Sequence, residues 1–183
     1  MFFVVVRLTN RMTLEQFTSQ VLPLKNKIFR FAKRLLTAQM EAEDVTQDVF
    51  VKLWTKKETL QNYRSVEALA MTITRNACLD KLKSNKRRRA DDIEDAHTAS
   101  GEASPQQRAE MSDHVTLAKQ IIDRLPEKQK MIVQLRDIEG YEFKEIEEIT
   151  GISVNAIKVN LSRARQKIRQ ELTNAFEYGL KAD

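Results

Sequence analysis

The chain has 183 residues, 42% of them hydrophobic, which is enough for one or two domains with cores of their own. It holds 4 glycines, 3 prolines and few alternating β-branched runs, so we expect an all-helical protein. Its one cysteine, Cys78, excludes an internal disulfide framework and, with only 2 histidines, any standard structural zinc site, which suits a reducing cytoplasm. The net charge of +5 and the isoelectric point near 9.3 fit a nucleic-acid partner but are too small to identify one.

The N-terminus begins with a short apolar run from Phe2 to Val6. It is much shorter than the roughly 20 residues needed to cross a bilayer, and it lacks the basic leader and cleavage site of a signal peptide. Thr13 and Gln16 have the spacing of a capping box, so we predict that the first helix starts there. Residues 1–12 are then expected to form a disordered or non-native tail, with Met12 as an alternative translation start.

Three rows of apolar residues at helical spacing predict a first helical domain over residues 13–89. Pro23 ends one helical turn or kinks the first helix, and the chain breaks around Gln39 to Glu41. A polar loop from Thr59 to Ser65 precedes the third row. The rows are Val21, Leu24, Ile28, Phe31, Ala32, Leu35 and Leu36, then Ala42, Val45, Val49, Leu53 and Trp54, then Val66, Leu69, Ile73, Ala77 and Leu82.

A basic cluster closes this domain and leads into a polar stretch. The cluster consists of Lys81, Lys83, Lys86, Arg87, Arg88 and Arg89. Positive charge complements a helix C-terminus, but a cluster this dense exceeds that need. The acidic, small and polar residues that follow predict a flexible linker over residues 90–112. The linker either separates two folded units or itself occupies a channel in a partner.

Residues 113–175 predict a second domain built on a helix-turn-helix, followed by a C-terminal tail over residues 176–183. Gly140 and Gly151 end two short helices, and Ser153 can cap a third. That third helix has an apolar stripe and, beside it, a face of basic side chains, with no carboxylate between Lys158 and Arg169. The alternative is an ordinary amphipathic helix with a solvated basic side. The preceding helix carries four glutamates, so positive charge is segregated onto the third helix, which favours DNA binding.

Four motifs, in this order and spacing, resemble the extracytoplasmic-function (ECF) sigma factors of bacterial RNA polymerase, in the sigma-70 family. They span nearly everything from Leu14 to Leu172. They are Ala42–Trp54 (AEDVTQDVFVKLW), Met71–Leu82 (MTITRNACLDKL), Leu125–Gln129 (LPEKQ) and Leu161–Lys167 (LSRARQK). The resemblance implies an all-α fold of two small helical domains joined by a flexible linker, the C-terminal one a helix-turn-helix.

The resemblance also implies binding surfaces in the first domain, which would be sigma region 2. Its second helix would dock on the clamp helices of core polymerase through Asp44, Gln47, Asp48, Phe50 and Trp54. Phe50 and Trp54 could equally be core residues. The minus-10 promoter element would be opened and held by Tyr63, Arg64, Ser65, Arg75, Asn76, Lys81, Lys83, Arg87 and Arg88. Tyr63 could instead cap the core.

The second domain would be sigma region 4, which reads the minus-35 element in the major groove. The residues implied are Asn155, Lys158, Asn160, Ser162, Arg163, Arg165 and Lys167. One departure is Glu147, which stands where such motifs place a small residue. Its stem must bend outward, or the two helices must splay.

The implied partners are core polymerase (its clamp helices and flap), promoter DNA and an anti-sigma factor, which in many family members is membrane-bound. No cofactor and no enzymatic activity are implied, and a cytoplasmic location is expected. Two rivals remain. One is a metal-dependent helical enzyme, with Mg²⁺ held by carboxylates of Glu41, Glu43, Asp44 and Asp48. The other is a dimeric repressor or activator that binds spaced operator half-sites by itself.

Overall fold

A computed structural model describes residues 12–36, 38–91 and 113–179, and every regular element in these ranges is helical. Residues 1–11 of the predicted tail (1–12), residue 37, most of the predicted linker (92–112) and residues 180–183 lie outside the described residues. We call residues 12–91 the N-terminal module and residues 113–179 the C-terminal module. The prediction of two helical units, the second a helix-turn-helix, is confirmed.

The N-terminal module contains four α-helices. They are α1 (Leu14–Val21), α2 (Lys25–Leu35), α3 (Gln39–Thr55) and α4 (Val66–Asp91), with 3-10 turns at Leu22–Leu24 and Leu60–Asn62. The capping box is present, because the backbone N–H of Gln16 donates to Thr13 Oγ1 at 3.2 Å and that of Thr13 donates to Gln16 Oε1 at 3.0 Å. Met12, just before it, is buried at 3% exposure.

Pro23 lies in the first 3-10 turn and separates α1 from α2, as its missing N–H and fixed φ favour. The next break falls slightly earlier than predicted. Helix α2 ends at Leu35 and α3 starts at Gln39, because Leu36 turns to an extended conformation while its side chain stays fully buried. Side chains such as Ile28, Phe31 and Leu53 are fully buried and anchor α2 and α3 in the core against α4.

The C-terminal module also contains four α-helices, namely α5 (Asp113–Asp123), α6 (Glu127–Val133), α7 (Phe143–Thr150) and α8 (Val154–Gly179). Helix α6 continues into a π-helical turn at Gln134–Ile138, and the chain reverses at Gly140, whose φ of +80° favours glycine. Ile132, Leu135 and Ile146 pack with the apolar stripe of α8.

The two modules are in direct contact. Helix α2 packs against α6 and the π-helical turn, and α4 packs against α7. One continuous cluster of buried side chains includes residues of both modules. Polar links also cross the boundary, for example from the Tyr141 hydroxyl to Glu67 Oε1 at 2.6 Å. The sequence predicted two tethered units but gave no sign of how they sit relative to each other.

Candidate DNA and polymerase interfaces

The turn between α7 and α8 fixes how α8 is presented. Gly151 closes α7 in the left-handed conformation, with a φ of +67°. Thr150 Oγ1 donates to the carbonyl of Ile146 at 2.6 Å and accepts from the backbone N–H of Ile152 at 3.2 Å. Ile157 and Leu161 are buried against the module core, so the opposite side of α8 faces outward.

Glu147, the unexpected residue in this motif, has a role in the turn. Its carboxylate bends outward and accepts the backbone N–H of Val154 at 3.0 Å, so it caps the first turn of α8. Ser153, predicted as the cap, accepts from the N–H of Ala156 at a longer 3.4 Å. Of the two arrangements that the sequence left open for Glu147, the structure therefore shows the outward one.

Several of the predicted minus-35 residues are exposed along α8. Lys158, Ser162 and Arg163 are exposed outside the buried stripe, and Asn155 is exposed in the first turn. Within the described part of the chain, the side chains of Ser162 and Arg163 have no hydrogen-bond or ion-pair partner. An open groove of about 520 Å³ runs beside Phe143 and is lined by Lys158, Ser162, Arg165 and Arg169, with Lys158 Nζ 5.5 Å from the Phe143 ring centroid. Ser162 and Arg163 are available for an incoming ligand.

Other predicted minus-35 residues are already engaged. Asn160 donates from Nδ2 to the carbonyl of Ala156 at 2.8 Å, so its amide lies against its own helix. Arg165 donates to both carboxylate oxygens of Asp137, at 3.1 and 2.5 Å, and these bonds raise the pKa of Arg165 against the opposing effect of burial. Lys167 lies 3.8 Å from Glu171 one turn later. Arg165 must therefore exchange Asp137 for any phosphate.

One exposed residue of this face was missed by the sequence analysis. Val159 is 48% exposed and lies between Lys158 and Asn160, one turn after Asn155 and one turn before Arg163. It belongs neither to the apolar stripe predicted for this helix nor to the DNA-binding residues that the resemblance implies. A methyl-bearing side chain among donors and cations is the kind of group that contacts the methyl of thymine.

The predicted minus-10 residues fall into three groups. The loop before α4 holds Tyr63, which is 42% exposed, and Arg64, whose side chain is 91% exposed and lies 3.7 Å from Glu148 of the C-terminal module. Ser65 caps α4, since its Oγ accepts the N–H of Ala68 at 3.1 Å. On α4 itself, Asn76, Lys83 and Arg87 share one exposed face.

The remaining minus-10 candidates point elsewhere or are engaged. Lys81 pairs with Asp44 of α3 at 3.2 Å, which joins a predicted DNA residue to a predicted polymerase residue. Arg75 donates from Nη1 to Asn76 at 3.1 Å, and its Nε is buried without a partner within the described residues. Arg88 is exposed near the end of α4. The cations that the sequence grouped together therefore lie on different sides of α4.

The outer face of α3 combines carboxylates with exposed apolar groups. Asp44, Gln47 and Asp48 are exposed, and between and beside them lie Met40, 77% exposed, and Val51, 64% exposed. Met40 and Val51 were not among the predicted residues, because an apolar side chain on an amphipathic helix is ordinarily assigned to the core. An exposed apolar patch bordered by charges is typical of a protein interface.

The two aromatic residues of α3 behave differently. Phe50 is half-buried and packs against the core cluster. Trp54 is 39% exposed, stacks edge-on against Phe17 with 5.0 Å between ring centroids, and has Lys57 Nζ 3.9 Å above its ring. Trp54 therefore supports α1 with one part of its ring and leaves the rest accessible.

The carboxylates that could have held Mg²⁺ are not gathered. Glu41 accepts from Asn85 at 2.9 Å and Asp44 accepts from Lys81, and no group of three potential metal ligands occurs among the described residues.

Burial raises the pKa of the Cys78 thiol to about 12, so this thiol stays protonated at neutral pH. In the described ranges, no helix is long and apolar enough to cross a membrane.

Comparisons with known proteins agree with this arrangement. Residues 21–88 match the family described as "Sigma-70 region 2", and residues 117–168 match "Sigma-70, region 4". The chain is similar to the probable RNA polymerase sigma factor RfaY of Xanthomonas campestris pv. campestris (28% identity; 84% of this chain and 39% of that protein). It is also similar to two ECF sigma factors. SigE of Mycolicibacterium smegmatis is 28% identical over 80% of this chain and 58% of that protein, and SigW of Bacillus subtilis is 26% identical over 81% of this chain and 84% of that protein. The chain thus spans less than two thirds of the length of the first two.

Solved structures show the same fold. The sigma factor RpoE of Bartonella quintana, in complex with the anti-sigma factor NepR, superposes with a TM-score of 0.75 at 22% identity, covering 87% of this chain and 98% of that one. CnrH, in complex with the cytosolic domain of CnrY, gives a TM-score of 0.64 at 18% identity, covering 88% and 90%. Sigma factors are regulatory factors of transcription initiation and in general not enzymes. With both sigma-70 regions matched in order, the chain belongs to the sigma-70 family of RNA polymerase sigma factors, as an ECF-type member.

Proposed function

We propose that this protein directs core RNA polymerase to specific promoters and initiates transcription there, acting in the cytoplasm as a binding factor and not as an enzyme. The observation that carries the proposal is the outward face of α8. A helix-turn-helix presents Lys158, Ser162 and Arg163 on the exposed surface of α8, and the last two are unengaged within the described residues. Hydroxyl and guanidinium groups on such a helix suit base edges and phosphates in the major groove.

The other two faces supply the remaining contacts of a sigma factor. The outer side of α3, with Val51 among carboxylates, would dock on the clamp helices of polymerase, and α8 would be carried by the flap. The loop at Tyr63 and Arg64 and the exposed side of α4 would hold the opened minus-10 strand, because an aromatic ring can stack on a base and cations can follow the backbone. Domain limits of 13–89 and 113–175 contain all three faces.

The proposal includes a protein inhibitor. One structural neighbour of this fold was solved as a complex with the anti-sigma factor NepR, and another as a complex with the cytosolic domain of CnrY. The proposed polymerase and DNA faces are exposed in this structure. An anti-sigma factor that covers α3 and α8 would keep the protein from binding polymerase and DNA. Membrane attachment of that inhibitor is part of the same proposal and rests on the family resemblance.

Binding to core polymerase tests the proposal directly. Purified chain mixed with core enzyme should form a stable complex in size-exclusion chromatography, and the complex should bind a promoter fragment that neither component binds specifically. The dimeric-regulator alternative predicts the opposite pattern, with specific binding of spaced half-sites by the chain alone. Loss of activity on chelation with no polymerase present would instead favour a metal-dependent enzyme.

Val159 gives a prediction about sequence readout. If its side chain contacts a thymine methyl, replacing that one thymine by uracil in the minus-35 duplex should weaken binding by about 0.8 kcal/mol, the value of one buried methyl group. Val159→Ala should bind the two duplexes nearly equally. Fluorescence anisotropy with uracil placed at each thymine in turn makes the comparison. Equal uracil sensitivity of wild type and Val159→Ala at every position would show that Val159 touches no thymine.

A further inference from the structure

One cation of α8, Arg165, is held by a carboxylate from another element of the same module. Asp137 lies in the π-helical turn after α6 and accepts from Nε and Nη2 of Arg165, at 3.1 and 2.5 Å. Arg165 was predicted as a minus-35 contact, whereas Asp137 was not among the predicted residues. The two lie 28 positions apart, so no local pattern connects them.

The pair is accessible to solvent and to a ligand. The side chain of Arg165 is 54% exposed and that of Asp137 is 27% exposed. Arg165 also lines the open groove that contains Lys158, Ser162 and Arg169. Among the described cations of this groove, Arg165 is the one that is paired with a carboxylate. Its charge is therefore already compensated before any ligand arrives.

Apolar packing, and not this ion pair, holds α8 in place. Leu161 and Ala164 of α8 are buried, at 3% and 0% exposure, and belong to the same core cluster as Ile132 and Leu135. Burial of such side chains stabilises a helix contact far more than an exposed ion pair does. A purely structural role therefore does not account for the contact between Asp137 and Arg165.

The backbone of the π-helical turn brings Asp137 to the edge of the groove. The N–H of Glu139 donates to the carbonyl of Gln134 at 3.0 Å, which closes the wide turn. Such turns are rare and occur frequently at functional sites. Ile138, the next residue, is 52% exposed, so the rest of the described chain leaves this turn open.

Asp137 and a DNA phosphate would use the same donors of Arg165. A guanidinium binds carboxylate and phosphate oxygens through the same planar pair of N–H groups, so the two acceptors exclude each other at that edge. In the free protein the bonds to Asp137 are already made, and a phosphate has to replace them. An exposed pair of this kind changes an equilibrium constant by up to about fivefold.

We propose that Asp137 is a positioning residue that competes with DNA phosphates for Arg165 and thereby lowers the affinity of α8 for DNA, although Asp137 does not itself contact DNA. The inference rests on the proposed function for promoter DNA as the natural ligand. Phosphate contacts carry no sequence information, so the competition weakens binding to every sequence by the same factor. It leaves the preference for the minus-35 sequence unchanged.

The test measures binding of the full chain to a short random-sequence duplex by fluorescence anisotropy. Asp137→Asn removes the charge at nearly constant shape and should bind about two- to fivefold more tightly than wild type. Asp137→Glu keeps a carboxylate and should bind close to the wild-type affinity. Glu15→Gln, which removes an exposed carboxylate from α1, is the matched control and should leave the affinity unchanged. Circular dichroism should show the same helix content in all of them.

Removal of Arg165 separates the competition from a general change in charge. Arg165→Ala should weaken binding and reduce the slope of log K against log salt concentration by about 0.9, the value of one phosphate contact. Asp137→Asn alone should keep the wild-type slope, because Arg165 reaches a phosphate in both proteins. In the Arg165→Ala background, the gain from Asp137→Asn should nearly vanish at physiological salt, since only screened repulsion between Asp137 and the phosphates remains.

Two results would overturn the competition. One is a gain from Asp137→Asn of equal size with and without Arg165, which would show a general effect of charge. The other is binding by Asp137→Asn that is no tighter than wild type while wild type still binds core polymerase, in which case the proposed function stands without this inference. If instead the duplex measurements follow the expected pattern and neither protein binds core polymerase, the competition stands and the proposed function fails.

Discussion

Replacing Arg163 by alanine is expected to weaken binding to the minus-35 duplex by about 1–3 kcal/mol and to relax sequence preference at one position, as loss of a side chain that reads a base does. The structure makes this the cleanest substitution on α8. Arg163 is exposed and unpaired within the described residues, whereas Arg165 is held by Asp137 and Asn160 by its own helix. Its removal therefore breaks no internal contact that the structure records.

The measurement is a set of dissociation constants for duplexes with each minus-35 position changed in turn, at fixed salt concentration. Lys25→Ala, which also removes one exposed positive charge, controls for the change in net charge. If the Arg163→Ala variant binds every duplex sequence more weakly by the same factor, Arg163 contacts a phosphate and not a base. No loss at all would remove Arg163 from the DNA interface.

Val51→Asp is expected to have the second large effect, a loss of about 2 kcal/mol or more in binding to core polymerase, since it puts a charge at the centre of a proposed apolar contact. Val51 is 64% exposed, so the change should leave the fold intact. Trp54→Ala is a less clean test, because the ring also stacks on Phe17 and its loss should destabilise the contact between α1 and α3.

Core binding and thermal unfolding should be measured on the same preparations. We expect Val51→Asp to unfold at nearly the wild-type temperature while losing core binding. We expect Trp54→Ala to unfold at a lower temperature and to bind core polymerase more weakly. Asn26→Asp, which adds one negative charge at an exposed position of α2, is the matched control. Full core binding by Val51→Asp would exclude the outer face of α3 from the polymerase interface.

Local features of the fold were predictable from the sequence because neighbouring residues determine them. The capping box at Thr13, the left-handed Gly151 and the buried stripe of α8 each depend on residues within one or two turns. The helix-turn-helix and the exposed cations of α8 follow from the same patterns.

The contact between modules was not predictable, because its partners lie far apart along the chain. Arg30 and Glu139 are separated by 109 positions, and Glu67 and Tyr141 by 74. No local periodicity connects such pairs. In the same way, the sequence did not show that Glu147 caps α8 or that the carboxylate of Glu145 accepts the N–H of Glu142 at 2.7 Å.

Exposed apolar residues were the other systematic omission. Met40, Val51 and Val159 lie outside the apolar rows predicted for their helices, and the resemblance did not name them as binding residues. Their exposure is decided by which side of each helix the rest of the fold covers. These residues now mark the faces of α3 and α8 for which we propose partners.

The most direct test of the account is transcription initiation in vitro. Purified core polymerase is supplied with this protein and a library of genomic fragments, and the 5′ ends of the RNA products are sequenced. We expect RNA from a limited set of start sites that share two upstream elements at a fixed spacing, with none of these products when the protein is omitted. A complete lack of RNA above the core-only background, on any template, would contradict the proposed function.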